Sequence, residues 1–585
     1  MALEEPSGNR KDQDDVIGKT TATENSPNTV DDFAFWLSPD KIVNPFDFVT
    51  ADHLRGTRTI GIVREMMMIT DAPSHLSNYV SSEFGTVTTP PNTTRVSTTI
   101  ARASVMANTG IETKREGISL EINMPIENDQ PVRFATASEV AIALGAEKIK
   151  QPVPMGLIEM SNGVSIPVSV DGRYLLGPEA AHLNVSGISG LATKTSYMMF
   201  LIQSILSRYG HEKMGVVMFN VKQQDLLHVD EEATDLTPLD LEIYKSLGIE
   251  SKPFANVTYF LPRGPDGEAD SEHEPKNSKI YAYSLGDCVS DTRSSLDLLF
   301  SEVRDPDYTI ASILEHLRER WPLRFGKDVK HDDETVRTAD QRVETWEDLR
   351  FYENFPREIR PGSRGKFKRH LGRLTKNSDL FVPGRKHEVY LGDEVKKLKG
   401  GQIYVIDIFR VGKAEERAAF VIGDVMRSLE EMYAEEIVGR PEKVIVVVDE
   451  LNKFAPKGST PGPVAQQIIE VARTGRSRGT VLFGAEQFKS EAHEQVYENA
   501  GTHLIGRTGS SELSTQPYSF LDKETKSNVT RLEKGELVLV HAAFRQPVKI
   551  VFPCPSYKRQ ESATSEAREA GSTSTSKPDG AFSES

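Results

Sequence analysis

At 585 residues the chain is too long for one ordinary hydrophobic core, and about two to four domains are expected. Its formal net charge of −16, with 27% charged and 38% hydrophobic residues, suits a globular protein and excludes one that coats nucleic acid by general basicity, leaving room for DNA in a locally basic channel. Only Cys288 and Cys554 occur, no apolar run reaches membrane-span length, and the first residues lack the basic and apolar regions of a signal peptide; together these point to a reducing cytoplasm, with no disulfide framework and no membrane.

Residues 1–30 and 556–585 are polar, poor in large apolar groups, and read as disordered tails. Between them, residues 40–150 hold short β-like runs, such as 59–66 and 98–105, separated by turn residues at 90–92 and 128–131. That spacing predicts a small β-barrel, with one helix over 137–144. A further β segment over 163–170 leads into the next motif.

Residues 181–186 read as a strand, 187–193 as a glycine-containing loop, and 197–206 as an apolar helix. A loop of this kind lets backbone N–H groups curl round phosphates at a helix N-terminus. Gly187, Ser189, Gly190, Ala192, Thr193 and Ser196 are the cradle candidates. Lys194 would reach the β- and γ-phosphates, and the Thr195 hydroxyl would bind Mg²⁺. The spacing departs from G-x-x-x-x-G-K-[ST]: Gly187 precedes Lys194 by seven residues, and Thr193 occupies the usual glycine position. A strand–helix turn that holds no phosphate is the alternative reading.

A second buried strand over 216–222 carries Asn220 and Lys222 at its end, with Asp225 beyond; these either line a site or solvate a loop. Residues 289–398 turn amphipathic and charged, which reads as a helical insertion between a first core segment (151–288) and a second (399–555). Within it, 357–376 is a basic island with Phe367 and His370 interleaved. It is either a DNA-phosphate surface or a solvated helix face. Residues 401–408 restore the sheet, and 414–437 form a helix long enough to cross back to a parallel strand.

That strand, 444–448, is five β-branched residues in a row and ends in Asp449 and Glu450. Such a run reads as buried on both faces, and open α/β sheets bind ligands at the carboxyl ends of their strands. Asp449 could hold the Mg²⁺ shell and Glu450 could polarise an attacking water. Arg473, Arg476 and Arg478 follow beside a glycine turn. They could reach a neighbouring subunit's phosphates or simply favour a helix C-terminus. Strand 479–487 then ends at Gln487, placed to sense a γ-phosphate or to cap the strand. Strands at 503–508 and 537–540 follow. The thirteen histidines and two cysteines show no metal-ligand spacing.

Taken in order, the barrel, His182-Leu183-Asn184-Val185-Ser186-Gly187, the insertion, Val448-Asp449-Glu450-Leu451-Asn452-Lys453-Phe454, the Arg473–Gly479 run and Ala485-Glu486-Gln487 resemble the HerA branch of the HerA/FtsK ATPases over about residues 40–553. The resemblance implies a HAS-type barrel and a RecA-like P-loop ATPase core. It implies a hexameric ring that moves or unwinds duplex DNA with ATP and Mg²⁺, commonly beside a nuclease in end processing or anti-phage defence. Carried over, Lys194 and Thr195 match the Walker A pair, Asp449 and Glu450 the Walker B pair, Gln487 the sensor, and Arg473 and Arg476 the arginine motif. A nucleotide-binding ring that organises an effector with little translocation is the second reading. A secretion or conjugation coupling ATPase is the third.

Overall fold

The computed structural model describes residues 15–88, 95–112, 119–188, 193–209, 211–290, 294–301, 303, 305, 307–376, 378–411, 415–458 and 460–559. They form two compact units. The first draws on residues 1–214, 238–250 and 442–554, the second on 215–237, 251–441 and 555–585.

The first unit opens with a closed antiparallel barrel. Its strands run Val16–Thr21, Asp32–Leu37, Ser97–Asn108, Arg58–Thr70, Phe48–Asp52 and Pro131–Phe134, and the last pairs back to the first. Alternating side chains fill it, with Phe33, Phe35, Val49, Val63, Ala103 and Val132 buried. Gly61 is required there, because a Cβ would stand 2.7 Å from the Phe33 ring. The barrel therefore starts at Val16, inside the stretch expected to be a tail: Ile17 and Phe33 supply wall residues that a polar average conceals. Two strands outgrow the barrel as a long hairpin, still paired at Thr70 and Ser97, which exposes Met67, Met68 and Ile69. Buried Arg64 donates to Gln546 (3.2 Å), between two late strands, and to Thr525 (3.4 Å) in helix Lys523–Val529.

The same unit holds an eight-strand run of sheet. Its order is Ser165–Asp171, Pro152–Glu159, Val548–Val551, Glu536–His541, Ala500–Ile505, Ala181–Ser186, Thr480–Glu486, Lys443–Val448. The last four are parallel to one another and the first four are joined antiparallel. In Lys443–Val448 every residue from Val444 onward is buried, as its β-branched sequence requires of a central parallel strand. Helix Thr193–Tyr209 presents Tyr197, Phe200, Leu201, Ile205 and others to the core, all fully buried. The architecture is α/β, a sheet with a run of parallel strands, preceded by a six-stranded closed barrel.

The second unit carries four parallel strands in the order Met214–Asn220, Ile403–Asp407, Val257–Pro262, Ser278–Tyr281. The segment 289–398 is helical as expected, with Thr309–Glu319, Trp346–Phe351, Pro361–Thr375 and Leu391–Val395, and adds a short ribbon of Val329–Lys330 with Val336–Arg337. The expected C-terminal tail also begins later than residue 556. Tyr557 is buried and bridges to Glu232, and Lys558 pairs with Glu231, because an aromatic and two cations within five residues suffice to dock the segment.

Candidate functional site

Parallel register brings the ends of three strands to one edge of the first unit. Val448 lies opposite Gly484, Gly484 opposite Asn184, and Ser186 opposite both Glu486 and Ile505. Asp449 and Glu450, Gln487, and Gly187 therefore follow side by side, as expected of a ligand edge. Gly187 has φ 153°, and a Cβ there would lie 3.2 Å from the Gly506 Cα, so this tight start to the loop favours glycine. Hydrogen bonds hold its flanks, from the Gly187 N–H to the Glu486 carbonyl (3.3 Å) and from the Ile188 N–H to the Arg507 carbonyl (2.8 Å).

Ser189, Gly190 and Ala192 lie outside the described residues, and Thr193 begins the helix. Across the lengthened loop, the buried Lys194 ammonium donates to the Gly187 carbonyl at 2.7 Å. The extra residue therefore leaves Lys194 folded back over the loop it serves. Thr195 donates its hydroxyl to Asp449 Oδ2 at 3.1 Å, joining residues 254 positions apart, and Ser196 is buried in the first helical turn.

Asp449 accepts a second hydrogen bond at Oδ1 from the Glu450 N–H (2.8 Å). Glu450 sits at φ 54°, ψ 42°, a left-handed conformation that costs a non-glycine residue about 1 kcal/mol or more. It caps the short helix Leu451–Phe454, so the carboxylate leaves the strand direction at a sharp corner. Gln487 is half-buried one residue beyond its strand, at the same edge. The donor set suits a Mg²⁺-nucleotide: a lysine over a glycine turn, a hydroxyl beside a carboxylate, and a second carboxylate next to it.

Arg473 and Arg476 sit elsewhere. Both belong to helix Pro463–Arg478, which ends at Gly479 immediately before strand Thr480–Glu486 begins. Both are exposed, Arg476 in the last turn of the helix near the amino end of that strand and Arg473 about one turn further back along the helix. Arg476 donates to the Glu179 carbonyl (2.9 Å), and Arg473 lies 3.7 Å from Glu470. Neither is brought to this chain's own loop.

The basic island forms helix Pro361–Thr375 in the second unit. Its inner face buries Phe367, Leu371 and Leu374, with Phe367 stacked on Phe300 at 5.1 Å. Much of its charge is matched internally: Lys368 with Glu353, Arg373 with Glu416, and Lys376 with Asp332. Asn220, also in the second unit, is buried, and its amide donates to Asp407 (3.0 Å) and to the Gln223 carbonyl (2.7 Å), which is a strand-end clamp. The histidines, expected to form no metal cluster, gather His228, Glu231 and His273 in space; residues 42 positions apart cannot show this as a spacing.

Behind the loop lies a group with no role assigned from sequence. Glu486 is fully buried, beside the Asn184 side chain. Burial pushes its carboxyl well up, against the pull of Lys489 and Lys194. Lys489 is equally buried, and burial pushes its ammonium down. That ammonium lies 3.1 Å from His503 Nδ1 and faces the rings of Tyr497, Tyr518 and Phe520 at 5.0, 5.7 and 5.6 Å. The signal was present in sequence, an acid at the same strand end as Gln487 and a lysine three residues on. Only the fold shows that both are buried.

No protein-family model matches the chain, and no curated protein matches it. Among solved structures it is similar to VirB4 of Thermoanaerobacter pseudethanolicus, at 15% identity over 72% of this chain and 99% of that one, with a TM-score of 0.40. It is similar to the bacterial conjugative coupling protein TrwB lacking its N-terminal segment, at 12% identity over 74% and 95%, with a TM-score of 0.42. A third is the genome packaging NTPase B204 of Sulfolobus turreted icosahedral virus 2, at 11% identity over 28% and 72%, with a TM-score of 0.22. The fold assignment rests on the strand order and register of the chain itself.

Proposed function

We propose that the protein is an ATP-hydrolysing DNA translocase of the HerA type that works as a ring, with six copies as the expected number. The observation that carries this reading is the 3.1 Å contact of Thr195 with Asp449, which joins the loop half and the acid half of one site. Bound Mg²⁺ would supply charge neutralisation between Thr195, Asp449 and the phosphates. Lys194, released from the Gly187 carbonyl, would donate to the terminal phosphate oxygens. Glu450 would accept a proton from the attacking water, held at its angle by the left-handed backbone, and Gln487 would orient that water. Arg473 and Arg476, remote from their own loop, would complete the site of a neighbouring copy.

Ring assembly is supported by exposed apolar groups on the barrel hairpin and the helix beside it: Met68, Ile69, Leu76, Tyr79 and Phe84. Contact with duplex DNA is supported by a cleft of about 530 Å³ in the first unit, lined by Lys150, Arg173, Arg208, Lys213 and Lys443. A cytoplasmic role beside a nuclease or another defence effector completes the proposal; no described helix is long and apolar enough to cross a membrane.

The test is Glu450→Gln. Nucleotide binding is expected to persist while turnover drops by ~10²–10⁴-fold, the scale of a lost general base. Undiminished hydrolysis would overturn the assignment. ATPase activity with and without linear duplex DNA, together with the mass of the assembly, separates a translocase from a nucleotide-binding scaffold. A scaffold is expected to bind ATP without DNA-stimulated turnover.

A further inference from the structure

We propose that His228, Glu231 and His273 form a divalent-cation site, of the kind that takes Zn²⁺, in the second unit and independent of the nucleotide site. His228 Nδ1, Glu231 Oε1 and His273 Nε2 all lie within 4.8 Å of one another. His228 Nδ1 is 2.7 Å from Glu231 Oε1, and His273 Nε2 is 3.5 Å from the same oxygen. Donors around a tetrahedral zinc, at bond lengths of ~2.0–2.2 Å, stand roughly 3.4 Å apart, so small shifts would seat the ion. Two imidazoles with one carboxylate is a donor set that suits zinc and leaves one position open.

The hydrogen bonds around the cluster fix which atoms face it. The Gln224 side-chain nitrogen donates to the Glu272 carbonyl (3.4 Å), which turns its Oε1 toward His228 Nε2 at 3.2 Å. An oxygen there needs an N–H on Nε2. The neutral His228 ring then carries its lone pair on Nδ1, aimed at a carboxylate oxygen 2.7 Å away. Two lone pairs at that distance repel unless something positive joins them. The His273 ring, tilted against that of His228 with centroids 4.0 Å apart, brings a second imidazole nitrogen to the same carboxylate oxygen. A metal ion satisfies all three donors together.

The backbone presents the ligands with little freedom to lose. A turn closed from the Glu231 N–H to the His228 carbonyl (3.0 Å) sets those two side chains together. Lys558 donates to Glu231 Oε2 at 2.7 Å, leaving Oε1 for the ion, and its N–H donates to the Glu231 carbonyl (2.9 Å). A bound ion would clip the loop after strand Met214–Asn220 to the loop after strand Val257–Pro262. Gln224, hydrogen-bonded to a ligand, acts as a positioning residue.

The experiment uses the full chain, stripped of metal by chelation and free of nucleotide. It is titrated calorimetrically with Zn²⁺ alone and, separately, with Co²⁺ while the visible absorption of a tetrahedral site is followed. One equivalent per chain is expected, with the cobalt band lost in His273→Ala and in Glu231→Gln. Gln224→Ala is expected to weaken binding ~10–100-fold. Because His273 is half-exposed, its alanine variant keeps the fold and decides the matter even where Glu231→Gln, which disturbs Lys558, does not fold. Wild-type protein that takes up no Zn²⁺ would show that a proton alone joins His228 to Glu231 and would overturn the proposal. Stoichiometry and affinity unchanged in His273→Ala would place any bound zinc elsewhere, with the same consequence.

Discussion

Strands Lys443–Val448 and Thr480–Glu486 lie side by side in parallel, and each delivers a carboxylate to the same edge in an opposite condition. Asp449 has both oxygens engaged, by the Thr195 hydroxyl and the Glu450 N–H. Glu486, one strand over, is sealed from water, with the Asn184 side chain and the ammonium groups of Lys489 and Lys194 as its polar neighbours. Two acids a few ångströms apart in sheet position can thus serve different ends. The first is held by two donors, a hydroxyl and a backbone N–H. The second is held so that charge is costly, and it reports on the electrostatics behind the loop.

The largest expected effect breaks the first side of that contrast. Asp449→Asn removes the negative oxygen beside Thr195, and turnover is expected to fall at least ~100-fold, the scale of one charge-stabilising group. Melting temperature without nucleotide should change little, since the amide keeps the shape. Steady-state ATPase assays and thermal melts on the same preparation check both halves. A variant that hydrolyses ATP normally would remove Asp449 from the site.

The second side is sharpened by pH. Burial raises the Glu486 pKa, so the folded chain keeps a proton that the unfolded chain has already released. Stability contributed by that proton is present below the ordinary carboxylate range and is lost as pH rises through the raised value. Lys489 is lowered by burial, so the folded chain sheds its proton first, and stability recovers as pH climbs toward the ordinary lysine value. Glu486→Gln is expected to abolish the fall and to be more stable than the parent at neutral pH. Melts across the pH range read this directly. A fall that survives in the variant would mean that Glu486 is charged and matched in the native state.

The smallest effect concerns the strand between Thr480–Glu486 and Ala500–Ile505. His182 Nδ1 accepts the Leu482 N–H at 2.9 Å, and burial, with the charge of Arg476 adding to it, holds its pKa at about 4. The unfolded chain takes up a proton near 6.5, before the folded one does. Stability is therefore expected to decline modestly as pH drops from 6.5 to about 4. His182→Gln should flatten that decline in denaturant titrations, and an unchanged slope would assign it to other groups.

Local order was largely legible in the sequence because it rests on local rules. The run of β-branched residues at 444–448 required a strand buried on both faces, and the apolar helix from Tyr197 needed nothing beyond its periodicity. Lys194, Thr195, Asp449 and Glu450 could be named because strand–loop–helix and strand–acid patterns are contiguous. The barrel's true start at Val16 was hidden, since a six-residue strand in a polar stretch closes the barrel only through Pro131–Phe134, more than 100 residues away.

What the sequence determined by itself was the kind of fold and the candidates for the site, each read from side-chain periodicity and from neighbours a few positions away. Only the tertiary structure decided which of them meet. It joined Thr195 to Asp449, set Arg473 and Arg476 on the exposed face of helix Pro463–Arg478, buried Glu486 with Lys489, and gathered His228, Glu231 and His273. Those outcomes depend on strand order, register and exclusion of water, which are properties of the packed chain that no local stretch of sequence carries.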